Sequence, residues 1–340
     1  MRNRIEYLDG LRGIAILLVI VYHAYVRWTP IVPYKDSFAD IFIFKLGHVG
    51  VELFFLISGF VIFMTLDKTE SFRKFIFKRW LRLFPAMLIA SVLIYGTSFI
   101  FYERPAGTPT LFSLLPGLTF IEPEIWRRLL HMDFNAIEGA FWSLYVEFKF
   151  YFIAGFVYYF LGRRYLPYIL FIMYVISILI SLPLSYNSNL ALLLHNISTL
   201  FSLDYFGWFC SGTLFYLYYH TKTEYYYIFA ILIAMLSSYT LDGLDTFIPA
   251  FLISILFALS IRVEILQKIL SLRFFLFFGL VSYPLYLLHE NAMISMIIKS
   301  KIYLPWLPQI LYPVLPVFIL TFVAYFIATR YEKMIVKILK

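Results

Sequence analysis

Long apolar windows separated by short polar intervals recur along the whole chain. They lie at residues 13–28, 47–66, 84–102, 141–161, 166–183, 199–219, 225–241, 246–261, 274–298 and 310–329. A helix needs about 20 predominantly apolar residues to cross roughly 30 Å of hydrocarbon, so the pattern predicts ten membrane helices. The first, fifth, seventh and eighth windows are short or ambiguous at their ends, and nine or eleven spans fit the spacing as well. No internal repeat, low-complexity tract or soluble linker interrupts the series, which argues against an inverted-repeat plan. The expected fold is all-α: a polytopic transmembrane helix bundle forming one integral-membrane domain over residues 1–340, with no appended soluble domain.

Composition agrees. Of 340 residues, 62% are hydrophobic and 14% charged, with mean hydropathy +0.83, which excludes an ordinary soluble domain. The first window carries no small-residue cleavage site, and Asp9, Arg12 and His23 do not suit a signal peptide, so it reads as a retained helix. A single cysteine, Cys210, excludes an internal disulfide and a cysteine-based metal cluster. Nineteen Lys/Arg fall on one set of segments and eight on the other. That bias predicts an N-in, C-in topology with both termini cytoplasmic. It also accounts for the net charge of +8 without nucleic acid as a partner. Tyrosines and tryptophans near the helix ends suit interfacial belts against membrane lipids. The longest polar interval, residues 103–139, mixes acidic residues with Leu, Phe and Trp, and reads either as an interfacial cap or as a packed connector.

Within this apolar background, Arg12 and His23 are the most informative pair. Eleven helical steps return them to nearly one face, about 16 Å apart along the axis. An ionisable group at that depth costs about 2.5 kcal/mol or more when charged and unpaired. A hydrogen-bonded core histidine and a neutral imidazole accepting a proton both fit; the alignment with Arg12 favours the second. Arg79 and Arg82, three apart in a basic run, make a fork for phosphate oxygens, of a nucleotide or of a lipid headgroup. Ser143, Glu147 and Tyr151 share a face at spacings of four, as a structural clamp or as catalytic groups. His48 and Glu52 have the spacing of a metal pair, but no further ligand accompanies them and no metal is expected. Ser58-Gly59 reads as a close helix contact. Tyr283, Tyr286 and His289 follow Ser282 around Pro284, which would kink the helix and shape a cavity.

In their order these segments resemble the acyltransferase family 3 membrane proteins. Tyr7-Leu-Asp-Gly-Leu-Arg-Gly13 with His23 is similar to the family's Arg-x10-His motif. Gly50 to Phe60 resembles its second-helix motif, and Arg79-Trp-Leu-Arg82 its Arg-x-x-Arg. Trp142-Ser-Leu-Tyr-Val-Glu147 resembles its Trp-Ser-Leu-x-x-Glu, and Ser282 to His289 its Ser-Tyr-x-x-Tyr-Leu-x-His. Lys149 and the sequence after Tyr331 depart from the pattern without touching these residues.

The resemblance implies an O-acyltransferase, most simply an O-acetyltransferase, of the bacterial inner membrane. It implies no permanently bound cofactor, with acyl-CoA, acetyl-CoA above all, as the co-substrate. The acceptor it implies is a hydroxyl of a cell-surface polysaccharide or lipid-linked sugar, with glycan-assembly proteins as partners. His23 would be the general base or an acyl carrier, with Arg12 and Glu147 supporting catalysis and Arg79 and Arg82 holding coenzyme A. Glu52, Ser143, Tyr283, Tyr286 and His289 would shape the acceptor cavity. The competing classes are a transporter or flippase, in which His23, Glu147 and His289 line a path, and a scaffold subunit of envelope assembly.

Overall fold

The computed structural model describes residues 5–181, 189–242 and 244–339, and among them there is no β-strand. The helices are α1 (Glu6–Tyr22), α2 (Phe42–Lys45), α3 (Gly50–Leu66), α4 (Phe72–Gly96), α5 (Leu114–Thr119), α6 (Pro123–Leu130), α7 (Trp142–Phe156) and α8 (Leu166–Ser181). They continue as α9 (Asn189–Phe201), α10 (Phe206–Thr221), α11 (Glu224–Asp242), α12 (Leu244–Arg262), α13 (Glu264–Leu270), α14 (Arg273–Tyr303), α15 (Val314–Phe326) and α16 (Glu332–Leu339).

Each of the ten apolar windows overlaps a helix, although the bounds differ. The first helix begins at Glu6, ahead of its window, and the basic run before Pro85 belongs to the same helix as the apolar stretch after it. The sixth window is broken at Ser202, whose left-handed backbone separates α9 from α10. Among the described residues, five helices are long and apolar enough to cross a membrane, or six when the sharply bent pair Phe247–Arg262 and Glu264–Leu270 counts as one. The described residues are thus all-helical, with the apolar helices of a membrane protein. Helix α14 has 31 residues, but Ser282, His289, Glu290, Asn291 and Ser295 dilute its apolar character, and all five are buried.

Two compact units emerge. The first comprises Met1–Leu11, Val51–Arg79 and Val146–Leu270. Its central helix is α10, buried without interruption from Phe206 to Tyr218 and packed on α8 and α11. Small residues let backbones approach there: a Cβ on Gly59 would lie 2.3 Å from the Phe209 carbonyl oxygen, and one on Gly212 would lie 2.2 Å from that of Leu56. The expected close contact at Ser58-Gly59 is thus a crossing of α3 over α10. Asp67, just past α3, ties the end of this unit together. It accepts hydrogen bonds from Tyr158 (2.8 Å), Tyr216 (2.9 Å) and Arg163 (2.8 and 2.9 Å). Burial acts to raise its carboxyl, but these donors outweigh it and hold the group below the usual carboxylate range.

The second unit comprises Arg12–Gly50, Trp80–Tyr145 and Ser271–Lys340. Its central helix is α14, packed on α15 and on two short turns, the π-helical turn His23–Arg27 and the 3-10 turn Gly139–Phe141. The connector before α7 is packed: Phe134 and Ile137 are buried, and Arg104 donates to the Ile137 carbonyl oxygen. In both units the outward faces are apolar, with Phe152, Leu179 and Leu232 in the first and Phe318 and Phe322 in the second among the large exposed side chains. That distribution suits hydrocarbon as the surrounding solvent.

Candidate functional site

The second unit gathers a polar cluster around His23. The α-helix α1 widens at His23 into a π-turn that runs to Arg27, a geometry that is rare and concentrates at functional sites. His23 Nδ1 lies 2.9 Å from the Val19 carbonyl oxygen, one turn back on its own helix. His289, on α14, repeats the arrangement, with Nδ1 2.8 Å from the Tyr286 carbonyl oxygen. A carbonyl oxygen can only accept, so in each neutral ring Nδ1 carries the proton and Nε2 keeps its lone pair. The two rings meet edge to face with centroids 4.7 Å apart. His289 is fully buried, whereas the His23 side chain is 14% exposed.

Glu290 completes the cluster. Its Oε1 stands 3.6 Å from His23 Nε2 and accepts from Trp28 Nε1 at 3.2 Å, while its Oε2 accepts from the Ala140 backbone N–H at 2.5 Å. The preceding residue, Gly139, leaves room for that approach: a Cβ there would fall 2.8 Å from Oε2 and push the carboxylate aside. Sequence reasoning passed over Glu290, although the signal was present: His289-Glu290-Asn291 is an uninterrupted polar triplet inside an apolar window.

Behind it lies a second buried carboxyl. Glu138 Oε2 accepts from the Asn291 N–H at 3.1 Å, and the Asn291 side chain joins the Ile137 carbonyl oxygen and the Ala106 N–H. Glu138 precedes the apolar stretch Gly139–Leu161. Burial and the neighbouring Glu290 push its carboxyl well above the ordinary range, and Arg104 pulls it only part of the way back. A raised carboxyl favours the folded state at low pH, where it holds its proton, and that contribution is lost as pH rises from the unfolded value through the folded one. Glu138→Gln lacks this titration. Above about pH 5 the wild type should therefore lose stability relative to the variant, by up to about 1.4 kcal/mol per pH unit. Thermal melts of the two proteins in detergent across the pH range check this, and a difference that does not vary with pH would contradict it.

Three predicted residues of α7 and α14 lie in the same unit. Tyr286 donates its only hydroxyl proton to the Ala140 carbonyl oxygen at 2.8 Å, so the Ser143 hydroxyl, 2.7 Å away, donates to Tyr286. Tyr283 donates to the Leu83 carbonyl oxygen at 3.0 Å. Tyr286→Phe leaves a buried carbonyl and the Ser143 hydroxyl short of partners. It should cost about 1–3 kcal/mol, measurable by chemical or thermal denaturation in micelles.

Other predicted residues have other surroundings. In the first unit, Ser58 Oγ donates to Glu147 Oε1 at 2.7 Å, a partner from α3 in place of the expected same-face hydroxyls of Ser143 and Tyr151. Arg79 is 7% exposed. Its guanidinium donates to the Thr65 hydroxyl and lies over the rings of Tyr151 and Phe75. Arg82, in the second unit, is exposed and interacts electrostatically with Glu332, so the two arms of the supposed fork have different environments. Arg12 and Glu52 are half-buried. His48 makes its imidazole contact with the Lys45 carbonyl oxygen.

Residues 5–329 match a family model described as an acyltransferase domain. Among curated proteins, the O-acetyl transferase of Shigella phage Sf6 is 29% identical over 155 residues, covering 43% of this chain and 44% of the phage protein. The peptidoglycan O-acetyltransferase OatA of Listeria monocytogenes is 27% identical over 168 residues, covering 45% and 24%. The acyltransferase MdmB of Streptomyces mycarofaciens is 29% identical over 157 residues, covering 44% and 38%. The chain thus spans less than half the length of each of these relatives. No solved structure gives a significant match.

Proposed function

We propose that this chain, which belongs to the acyltransferase family 3 whose model covers residues 5–329, is a membrane O-acetyltransferase that acylates a carbohydrate hydroxyl from acyl-CoA. The observation that carries the reading is the His23 imidazole. Its Nδ1–H is tied to its own helix, its Nε2 is turned toward a polar cluster, and it sits on a partly accessible turn inside an apolar helix. A neutral imidazole so held is suited to take a proton near neutral pH. Relatives named O-acetyltransferases support acetyl as the transferred group.

In this proposal acetyl-CoA is the cytoplasmic donor, and the acceptor is a surface polysaccharide or lipid-linked glycan at the bacterial inner membrane. The ten apolar windows support ten spans in this reading, and the Lys/Arg bias supports cytoplasmic termini. His23 is the general base. The acceptor O–H bond breaks as the proton moves to Nε2, and the oxygen bonds to the acyl carbon. The thioester C–S bond then breaks, and the departing thiolate recovers a proton from the imidazolium. Arg79 and Arg82 hold the phosphates of coenzyme A, Arg82 from an exposed position and Arg79 from beside Thr65. Arg12 orients the donor. Glu147 positions the acceptor, and Ser143, Tyr283, Tyr286, His289 and Glu52 shape its cavity. Glycan-assembly proteins supply that acceptor.

The test is reconstitution of the purified protein in proteoliposomes with acetyl-CoA and the alkali-deacetylated envelope polysaccharide of the cell that encodes it. Free coenzyme A should be released only when the polysaccharide is present, with ester formed in equal amount. Tracer uptake in the absence of acyl-CoA, with no ester formed, would replace the enzyme by a transporter.

A further inference from the structure

Glu290 belongs to none of the motifs on which the proposed chemistry rests, yet its buried carboxylate faces the nitrogen that would do the work. We propose that Glu290 is a positioning residue of the transfer reaction, a fixed negative charge beside His23 Nε2 that stabilises the imidazolium formed when that nitrogen takes the proton of the acceptor hydroxyl and holds it in place until the proton is passed on. This rests on the reading of His23 as general base.

Three observations carry it. Trp28 Nε1–H and the Ala140 N–H each donate to a different oxygen of Glu290, so two donors from separate segments fix where the carboxylate stands. The Nδ1 of His23 is committed to the Val19 carbonyl oxygen, so the ring is fixed from one side by its own helix and on the other faces Glu290. The 3.6 Å separation is longer than a hydrogen bond yet well inside the range at which an opposite charge favours an ionised group. The remaining charged and titratable neighbours do not supply such a charge. On its own turn His23 has the cation Arg27. On α14 it has His289, whose Nδ1 bond to Tyr286 mirrors its own. Tyr22 lies edge-on to the ring, with His48 beyond it. Glu138 stands behind Glu290 next to Arg104, so the carboxylate facing His23 is that of Glu290.

Glu290→Gln keeps the shape, removes the charge and leaves one of the two N–H donors facing an amide NH2. In the proteoliposome assay with acetyl-CoA and deacetylated envelope polysaccharide, kcat should fall about 100-fold, with KM for acetyl-CoA within about twofold of wild type. The acidic limb of the pH–rate profile should move about one unit toward lower pH, a change that a merely structural residue would not cause. Glu290→Asp, with the charge retained but withdrawn, should fall between the two. If Glu290→Gln does not fold, Trp28→Phe, which deletes one donor and keeps the carboxylate, should lower kcat about tenfold with KM unchanged.

Wild-type kcat and pH profile in Glu290→Gln, or wild-type kcat in Trp28→Phe where that variant is the one tested, would overturn the inference, provided His23→Ala is inactive. Transfer that survives in His23→Ala would instead overturn the reading of the base itself.

Discussion

His23→Ala should lose acetyl transfer by a factor of about 100 to 10,000, the range general base catalysis supplies, while the protein still inserts and folds. The two halves of that expectation have separate physical grounds. The imidazole is needed because, in the proposed reaction, His23 Nε2 is the atom that takes the proton of the acceptor hydroxyl. His289, the neighbouring base, is fully buried and held 2.8 Å from its own helix carbonyl. The fold should tolerate the loss because the hydrogen bond of His23 runs within one helix, to Val19, so no tertiary hydrogen bond among the described residues is lost with the ring. The space left beside Glu290 and His289 is polar enough to take water. Circular dichroism and a melting temperature close to wild type, together with absent ester formation in proteoliposomes, check both halves. Partial restoration by added imidazole would place the loss in the missing base. Near-normal acylation by the purified variant would remove His23 from the mechanism.

How much of this could be read in advance depends on how local each property is. The apolar windows report a local preference, and each overlaps a helix. The spacing of Arg12 and His23 is equally local, although the widening of the helix at His23 is not written in any residue type there. Partners are another matter. Glu147 was expected to meet hydroxyls on its own face, at Ser143 and Tyr151, but a crossing helix brings Ser58 to it, and nothing in the periodicity of α7 encodes α3. Arg79 and Arg82 are three positions apart, yet one is buried against Thr65 and the other exposed. A three-residue step turns about 300° around the axis, enough to put neighbours in different environments. Glu290 was legible as an expensive residue and unread as a site, since its meaning depends on Trp28 and Ala140, more than a hundred residues away.

Gly13→Leu should cost about 3 kcal/mol or more and abolish transfer, although residue 13 carries no functional side chain. The close approach at this position is backbone on backbone. A Cβ on Gly13 would lie 2.3 Å from the Phe275 carbonyl oxygen and 3.1 Å from the Gly279 nitrogen, and neither atom can swing aside as a flexible side chain could. The first methyl group must therefore push α1 away from α14, and each further carbon pushes it farther, which is overpacking of the kind that costs 1–3 kcal/mol or more. His23 on the π-turn that continues α1, and His289 and Glu290 on α14, depend on that same crossing for their 4.7 Å ring contact and 3.6 Å charge separation. Catalysis is sensitive to misplacements of about 1 Å. Gly13→Ala should show the same loss in weaker form. Gly96 supplies the control: it ends α4 with nothing within 4 Å of a would-be Cβ, so Gly96→Ala should leave activity unchanged and add about 0.5–1 kcal/mol of stability. Melting temperatures of the three variants, measured beside their rates of acetyl transfer, separate the crossing from a general dislike of substitution. Wild-type rate and stability in Gly13→Leu would mean that α1 and α14 do not have to approach this closely for the site to form.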